Sequence, residues 1–239
     1  MIGQANSARD SSNRALEIAQ HTAYPFTNAF AHVVAGWLAV LADEADACRQ
    51  HGETITTLDE RHGFPGYRLS GIALTAYAKG LSGDANVAIA TIQDAAERWR
   101  EEQGPTYLPF LQVMSSRLAV ARGPRADALI LIENALAHCE RTGELALRPE
   151  FLRLRGLCQP NDDGPEQQVA GLIEALEAAR SQGARAWELR TALSLGELWV
   201  STGRQRAAVK LLRPLSESFT EGFDTPALKQ ARALLEKVG

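Results

Sequence analysis

The chain has 239 residues, with 25 Lys plus Arg against 29 Asp plus Glu, and a formal net charge of −4. Hydrophobic residues make up 45% and charged residues 23%, which is typical of a globular protein and excludes a disordered or fibrous chain. The mild acidity argues against direct nucleic-acid binding, for which a basic face is expected.

The remaining compositional features favour a soluble cytoplasmic protein. The three cysteines, Cys48, Cys139 and Cys158, are scattered and form no CxxC pair, as expected in a reducing compartment. The polar N-terminus lacks the pattern of a secretory signal. The longest near-apolar stretch, residues 30–42, is shorter than the ~20 residues that span a bilayer, so we expect no membrane association.

The hydrophobic pattern predicts helices along the whole chain. Apolar residues recur at three- and four-residue intervals, as in residues 88–99, and no segment alternates with period two for long. We therefore predict an all-α protein with a single helical-repeat domain over residues 1–239. In chain order it contains an opening helix at 7–21, helix pairs at 25–63, 65–104, 106–143, 147–183 and 185–221, and a capping helix at 225–238.

A repeat of about 40 residues organises these predicted pairs. One set of small residues recurs at steps of 40, namely Gly36, Ala76, Ser116, Gly156 and Gly196. A second set marks the far turns at steps of 39 to 41, namely Gly63, Gly104, Gly143, Gly183 and Gly222. Small side chains at one point of each helix allow two antiparallel helices to cross closely and stack on the next pair.

This register resembles the tetratricopeptide pattern, stretched from its usual 34 residues. HEAT and armadillo repeats are alternatives at this length, but they lack this register of small residues and turn glycines. The resemblance implies a right-handed solenoid of antiparallel helix pairs with about 40-residue repeats.

The whole chain is more specifically similar to the C-terminal helical-repeat region of large bacterial signalling ATPases. These are multidomain proteins of the AP/NACHT-like class, often fused to a class III adenylate or guanylate cyclase or to a helix-turn-helix transcription activator. The similarity is strongest over residues 219–229 and good over 183–190 and 151–156. Ser218 stands where we would expect this family to carry tryptophan.

The family's enzymatic activities cannot be assigned to any residue of this chain. The sequence has no GxxxxGK[ST] phosphate loop and no cyclase carboxylate pair. It has no HExxH and no GxSxG motif, and its carboxylates are distributed as on solvated helix faces. We therefore predict no catalytic residue, no metal and no cofactor. The chain is interpreted either as an excised part of a larger ATPase or cyclase or as a short stand-alone relative.

Candidate binding residues come from the first helix of each pair, which lines the concave surface in this repeat family. By analogy, the inward register positions give Phe30, Trp37, Tyr77, Phe110, Arg117, Glu150, Arg153, Arg190 and Glu197. The N-terminal half of this groove would be apolar and aromatic, with Trp37 and Tyr77 as anchors. In the C-terminal half, arginines would pair with carboxylates of a partner. Alternatively, the aromatic residues pack between repeats and the arginines pair within the array, with Glu150, Glu188 or Glu197.

The predicted function is a non-catalytic interaction or regulatory module that holds a protein or peptide partner in this groove. The alternative is a sensor that binds a small-molecule effector between helices and controls an attached ATPase or cyclase. An autonomous enzyme is the third possibility, without converging catalytic groups to support it. If the groove arginines bind the partner, replacing Arg153 and Arg190 together by alanine weakens binding and leaves the melting temperature nearly unchanged.

Overall fold

The residues that the structure describes are helical or in connecting turns, which confirms the prediction of an all-α protein. The structure, a computed structural model, describes residues 3–22, 24–123, 125–160 and 164–239. Within these residues it contains twelve α-helices, one 3₁₀-helix and no strand.

The helices follow one another with short connections. The α-helices are α1 (Ala5–His21), α2 (Pro25–Ala42), α3 (Ala45–His62), α4 (Pro65–Ser82), α5 (Ala85–Gln103), α6 (Leu108–Arg122), α7 (Arg125–Thr142), α8 (Arg148–Cys158), α9 (Glu166–Ser181), α10 (Arg185–Ser201), α11 (Gln205–Glu217) and α12 (Pro226–Val238). The 3₁₀-helix Leu145–Leu147 precedes α8. Each of the five ranges predicted as a helix pair holds two of these α-helices.

Local chemistry explains several helix ends. Pro25 occupies the first turn of α2, where its missing N–H costs no hydrogen bond. The side chain of Asp84 accepts backbone N–H bonds from the first turn of α5 and so caps that helix. Gly63 ends α3 at a φ of 72°, a left-handed conformation that other residues adopt only at a cost.

The chain divides into two compact units. The N-terminal unit comprises Ser7–Glu144, and the C-terminal unit comprises Met1–Asn6 with Leu145–Gly239. The prediction of one continuous helical-repeat domain stays a prediction.

In the N-terminal unit, consecutive helices pack on each other from α2 to α7, and α4 also packs on α2 and α6. The first helices of the three pairs therefore lie side by side. Glycines permit a close approach between α3 and α4. A Cβ on Gly52 would lie 2.7 Å from the carbonyl oxygen of Gly71, so no larger side chain fits without a shift of the backbone.

In the C-terminal unit, α10 lies at the centre and packs on α8, α9, α11 and α12. Its core includes the fully buried Leu172, Leu195 and Leu212, and Leu228 of α12 completes this cluster. Helices α8 and α9 cross at Gly156, where an added Cβ would lie 3.0 Å from backbone atoms of Gly171 and Leu172. The core of this unit therefore depends on α12 as well as on the two helix pairs.

Helix α2 is the one described helix that is long and apolar enough, by length and composition alone, to cross a membrane. Core helices of soluble proteins pass the same test. In this structure Val33, Trp37 and Val40 of α2 are buried among the neighbouring helices of the N-terminal unit.

Candidate functional site

Two predicted aromatic anchors are buried in the core of the N-terminal unit. Trp37 is 5% exposed and Tyr77 is 2% exposed. The indole Nε1 of Trp37 donates a hydrogen bond to Ser70 Oγ at 3.1 Å, and its ring stacks on Phe110 with centroids 4.6 Å apart. The predicted role of these residues as anchors for a partner is therefore corrected, because both side chains are buried within the unit and leave almost no surface to contact.

Arg117 also has an internal role. Its Nη1 donates hydrogen bonds to the carbonyl oxygen of Val40 at 2.7 Å and to Asp43 Oδ1 at 3.2 Å. These atoms lie at the C-terminal end of α2, where a cation interacts favourably with the helix dipole. Its side chain is 7% exposed, so the prediction that Arg117 pairs with a partner's carboxylate is wrong in this structure.

Burial dominates the ionisation of the groups around Arg117. It raises the pKa of Tyr77 and of the Cys48 thiol, the latter to about 12, although the Arg117 guanidinium opposes both shifts. Cys48 is thus a protonated, buried thiol rather than a reactive nucleophile. Through Arg117, this cluster links α6 to the C-terminal end of α2.

A different set of aromatic residues, exposed or half-buried, lies at the beginning of α2 and α4. We call this set the aromatic surface; its members are Tyr24, Phe26, Phe30, Phe64 and Tyr67. Tyr24, Phe26 and Phe30 are 61%, 46% and 39% exposed. The Tyr67 ring contacts Phe26 at 5.0 Å and Phe30 at 5.8 Å between centroids, and Phe64 meets Phe26 edge-on at 5.6 Å. The rings form one contiguous group.

The aromatic surface borders an uncharged helix on one side and the Asp59–Arg68 ion pair on the other, since the backbone N–H of Phe64 donates to Asp59. None of the 18 residues of α2 is Asp, Glu, Lys or Arg. Phe26, Phe30 and Val34 follow at four-residue spacing on one face of this helix, and Val34 is also exposed. Partial burial and the nearby Tyr107 raise the pKa of Tyr67, which keeps its phenol neutral.

Sequence reasoning found only Phe30 of this set. The inward register positions began at residue 30 in α2 and at residue 70 in α4, whereas Tyr24, Phe26, Phe64 and Tyr67 precede them in the sequence. The signal was present, because Tyr24–Pro25 and Phe64–Pro65 are aromatic–proline pairs separated by one 40-residue repeat. Phe110 is half-buried under Trp37 and is only a minor part of any accessible surface.

A histidine pair joins α2 to α3 in the same unit. The Nδ1 atoms of His32 and His51 lie 3.0 Å apart, so one imidazole donates to the other. Burial, reinforced by His51, lowers the pKa of His32 to about 4. Burial also lowers the pKa of His51, against the opposing effect of Glu44. Both rings are therefore neutral at physiological pH.

The predicted charged residues of the C-terminal unit form a buried ion network. The Glu150 side chain is fully buried, and its two oxygens accept hydrogen bonds from Arg153 Nε at 2.8 Å and Arg153 Nη2 at 3.0 Å. Arg153 Nη1 donates to Ser194 Oγ at 3.0 Å. Arg190 Nη1 lies 3.8 Å from Glu150 Oε1.

These arginines satisfy a carboxylate of their own unit, as the alternative interpretation expected. The side chains of Arg153 and Arg190 are only 11% and 16% exposed, and Arg190 also lies over the Trp187 ring. Glu197 remains exposed on α10; desolvation raises its pKa, although Arg153 opposes the shift. Replacing Arg153 and Arg190 by alanine is therefore expected to lower the melting temperature, because the buried Glu150 carboxylate would lose its partners. This corrects the expectation that the melting temperature stays nearly unchanged.

Across the described residues, no group of three or more His, Cys, Asp or Glu side chains could hold a metal ion. No protein-family model matches the chain, and no curated protein is significantly similar to it in sequence. The candidate site is therefore defined by geometry alone, and it is the aromatic surface of the N-terminal unit.

Proposed function

We propose that this protein is a non-catalytic interaction module whose N-terminal unit binds an apolar segment of a protein partner through the aromatic surface. The main observation is a contiguous group of five aromatic side chains, three of which are 39% to 61% exposed. They lie beside α2, which contains no charged residue. Soluble proteins rarely leave such patches uncovered unless they bind something.

The chemistry of these rings suits binding rather than catalysis. Phenylalanine and tyrosine supply large, rigid contact areas, and aromatic side chains are enriched among the residues that dominate interface energies. Removing such an anchor typically costs about 2 kcal/mol or more of binding free energy. The binding surface proposed here keeps Phe30 but replaces Trp37 and Tyr77 by the rings at the start of α2 and α4.

We further infer that the helix pairs stack as tetratricopeptide-like repeats. The repeat of about 40 residues supports this arrangement, as does the packing of the first helices in the N-terminal unit, α2 with α4 and α4 with α6. The resemblance of residues 151–156, 183–190 and 219–229 to bacterial signalling ATPases supports a cytoplasmic regulatory role beside an ATPase, cyclase or transcription-activator domain. No cofactor is part of this proposal.

The alternative function, a small-ligand sensor that controls an attached ATPase or cyclase, is favoured by one observation. An open groove of about 700 Å³, partly lined by exposed side chains, lies between α3, α4 and α5 of the N-terminal unit. Its size is within the range of small-molecule sites.

The proposed function is tested by selecting ligands from a random peptide library with the purified chain. We expect apolar peptides to be enriched, and the double variant Phe26→Ser/Phe30→Ser to weaken their binding by tenfold or more in fluorescence anisotropy. Ile130→Ser is the matched control, because Ile130 is 62% exposed in the same unit but outside the aromatic surface. The control should bind as the unaltered chain does.

Two results would overturn this proposal. Selected peptides that bind the Phe26/Phe30 double variant as well as the unaltered chain would place their site elsewhere. A dimer of the unaltered chain that the same double variant converts to a monomer would assign the aromatic surface to a second copy of the chain. Size-exclusion chromatography with light scattering distinguishes that case.

A further inference from the structure

The outer side of α11, in the C-terminal unit, carries a line of three cations. We call Arg206, Lys210 and Arg213 the basic row; they follow at spacings of four and three residues, which place them on one face of the helix. All three side chains are exposed. Ala208 and Leu212, on the opposite face, are fully buried against the rest of the unit. Helix α11 therefore presents the basic row to solvent.

The basic row has no partner within the described part of the chain. None of its three side chains makes an ion pair or a hydrogen bond with a residue that the structure describes. No Asp or Glu stands three or four residues before or after Arg206 or Lys210. The exposed arginines of α5 differ, because Arg98 and Arg100 pair with glutamates of their own helix. The basic row is thus not the usual locally neutralised helix face.

The basic row also works against the stability of its own helix. Lys210 has Arg206 one turn before it and Arg213 one turn after it, and like charges at these spacings destabilise a helix. Arg206 lies in the first turn, where the helix dipole disfavours a cation. Pro214 has no N–H to donate to the Lys210 carbonyl. A bound anionic partner would relieve the repulsion, so the arrangement favours such a partner.

The shape of the basic row selects among anionic partners. The three positions span about 10 Å along a single line, at the rise of an α-helix. A partner helix with carboxylates at positions i, i+4 and i+7 presents the same spacing, and arginine binds both oxygens of a carboxylate. A lipid surface would require a broader basic area or an apolar side free to enter it, and the apolar side of α11 is buried. A nucleic acid is disfavoured by the net charge of −4.

We propose that the basic row binds an acidic helical segment of a protein partner. Arg206 and Arg213 each bind one carboxylate of the segment through two parallel N–H bonds, and Lys210 contacts the carboxylate between them. Binding of exposed charges is screened by salt, so the affinity decreases as the ionic strength rises. The inference is independent of the proposed function, because the basic row shares no residue with the aromatic surface and lies in the other unit.

The experiment uses the full chain and two alanine-based helical peptides of about 20 residues. The first carries glutamate at i, i+4 and i+7, and the second carries glutamine at the same positions. Fluorescence anisotropy of the labelled peptides measures the affinities, and amide chemical shifts locate the site. We expect the glutamate peptide to bind and to shift the amides of α11. The glutamine peptide should not bind, and added salt should weaken the glutamate peptide's binding.

A triple variant of the chain tests the basic row directly, namely Arg206→Gln/Lys210→Gln/Arg213→Gln. Glutamine is a good helix former, so α11 stays intact. The variant should bind the glutamate peptide about tenfold more weakly or worse, since three surface ion pairs are lost. Its melting temperature should not fall, because the like-charge repulsion is removed.

A matched control changes the net charge by the same amount in the other unit. It replaces three exposed arginines that lie outside α11, as Arg14→Gln/Arg61→Gln/Arg141→Gln. This control should bind the glutamate peptide as the unaltered chain does.

The inference is overturned if the glutamate peptide does not bind, if both peptides bind equally, or if the shifts map outside α11. It is also overturned if the triple variant binds as tightly as the control, or if the triple variant loses stability, which would make the basic row structural. Binding of the chain to phosphatidylserine vesicles or duplex DNA, without binding of the peptide, would assign the basic row to phosphate groups instead.

Discussion

The buried ion network of the C-terminal unit gives the sharpest test of the structure. Replacing Arg153 by alanine removes the guanidinium that donates to both oxygens of Glu150 and to the hydroxyl of Ser194. The Glu150 carboxylate has no exposed surface and cannot regain water without unfolding its surroundings. We therefore expect a large loss of stability.

The expected magnitude follows from this burial. Removing one partner of a buried ion pair costs about 3–5 kcal/mol, because the other charge stays in a poorly solvated site. In a protein of this size, that loss corresponds to a fall in melting temperature of roughly 6–20 °C. Replacing both partners by apolar residues, as in Glu150→Leu/Arg153→Met, should be less damaging than Arg153→Ala alone, because no buried charge is left at position 150.

The assay is chemical denaturation followed by circular dichroism, with thermal melting as a second measurement. Arg155→Ala is the matched control: Arg155 is on the same helix and pairs with Glu174 at 2.6 Å, but the Glu174 side chain is 50% exposed. A surface pair of this kind contributes about 1 kcal/mol or less. If Arg153→Ala and Arg155→Ala lower the unfolding free energy equally, the Glu150 network is not the buried structural element described above.

The remaining predictions concern packing and pH. Gly156→Leu should lower the unfolding free energy by about 1–3 kcal/mol in urea titrations, because its Cβ would meet the backbone at Leu172; an unchanged stability would contradict this close crossing. The pKa values of His32 and His51 are lowered in the folded protein. As the pH falls below about 6.5, these side chains are therefore protonated in the unfolded chain before they are protonated in the folded one. The unfolding free energy should therefore fall by about 1–2 kcal/mol more between pH 7 and pH 5 in the unaltered chain than in His32→Gln/His51→Gln. Parallel pH profiles of the two proteins would contradict the buried, neutral histidine pair. Deleting the chain from Thr225 onward removes α12 from the core of the C-terminal unit and should cause aggregation in light scattering; a soluble monomer would contradict its capping role.

The sequence alone predicted the helices and their spacing because the responsible interactions are local. Apolar periodicity specifies a helix within a few turns, and a glycine or proline ends or begins one through its own backbone. Of the residues at 40-residue steps from Gly36 to Gly196, Gly156 lies at a helix crossing where an added Cβ would be 3.0 Å from the backbone of Gly171 and Leu172. The helices and their spacing can therefore be predicted without knowing which helices are in contact.

The sequence did not predict which of these positions are accessible. Phe30 and Trp37 are both on α2, and both were predicted to face a partner. Phe30 stays exposed beside Tyr67, whereas Trp37 is covered by Phe110 and hydrogen-bonded to Ser70. The covering residues come from the next two helix pairs, so the difference is absent from the local pattern.

The same limit applies to the arginines. The three-residue spacing of Glu150 and Arg153 permits an ion pair on one helix face, and the sequence showed that much. Only the tertiary structure decides that Ser194, 41 residues away, completes the network and that Glu150 is fully buried within it. Burial depends on contacts between distant parts of the chain, and burial determines whether a charge binds a partner or stabilises the fold.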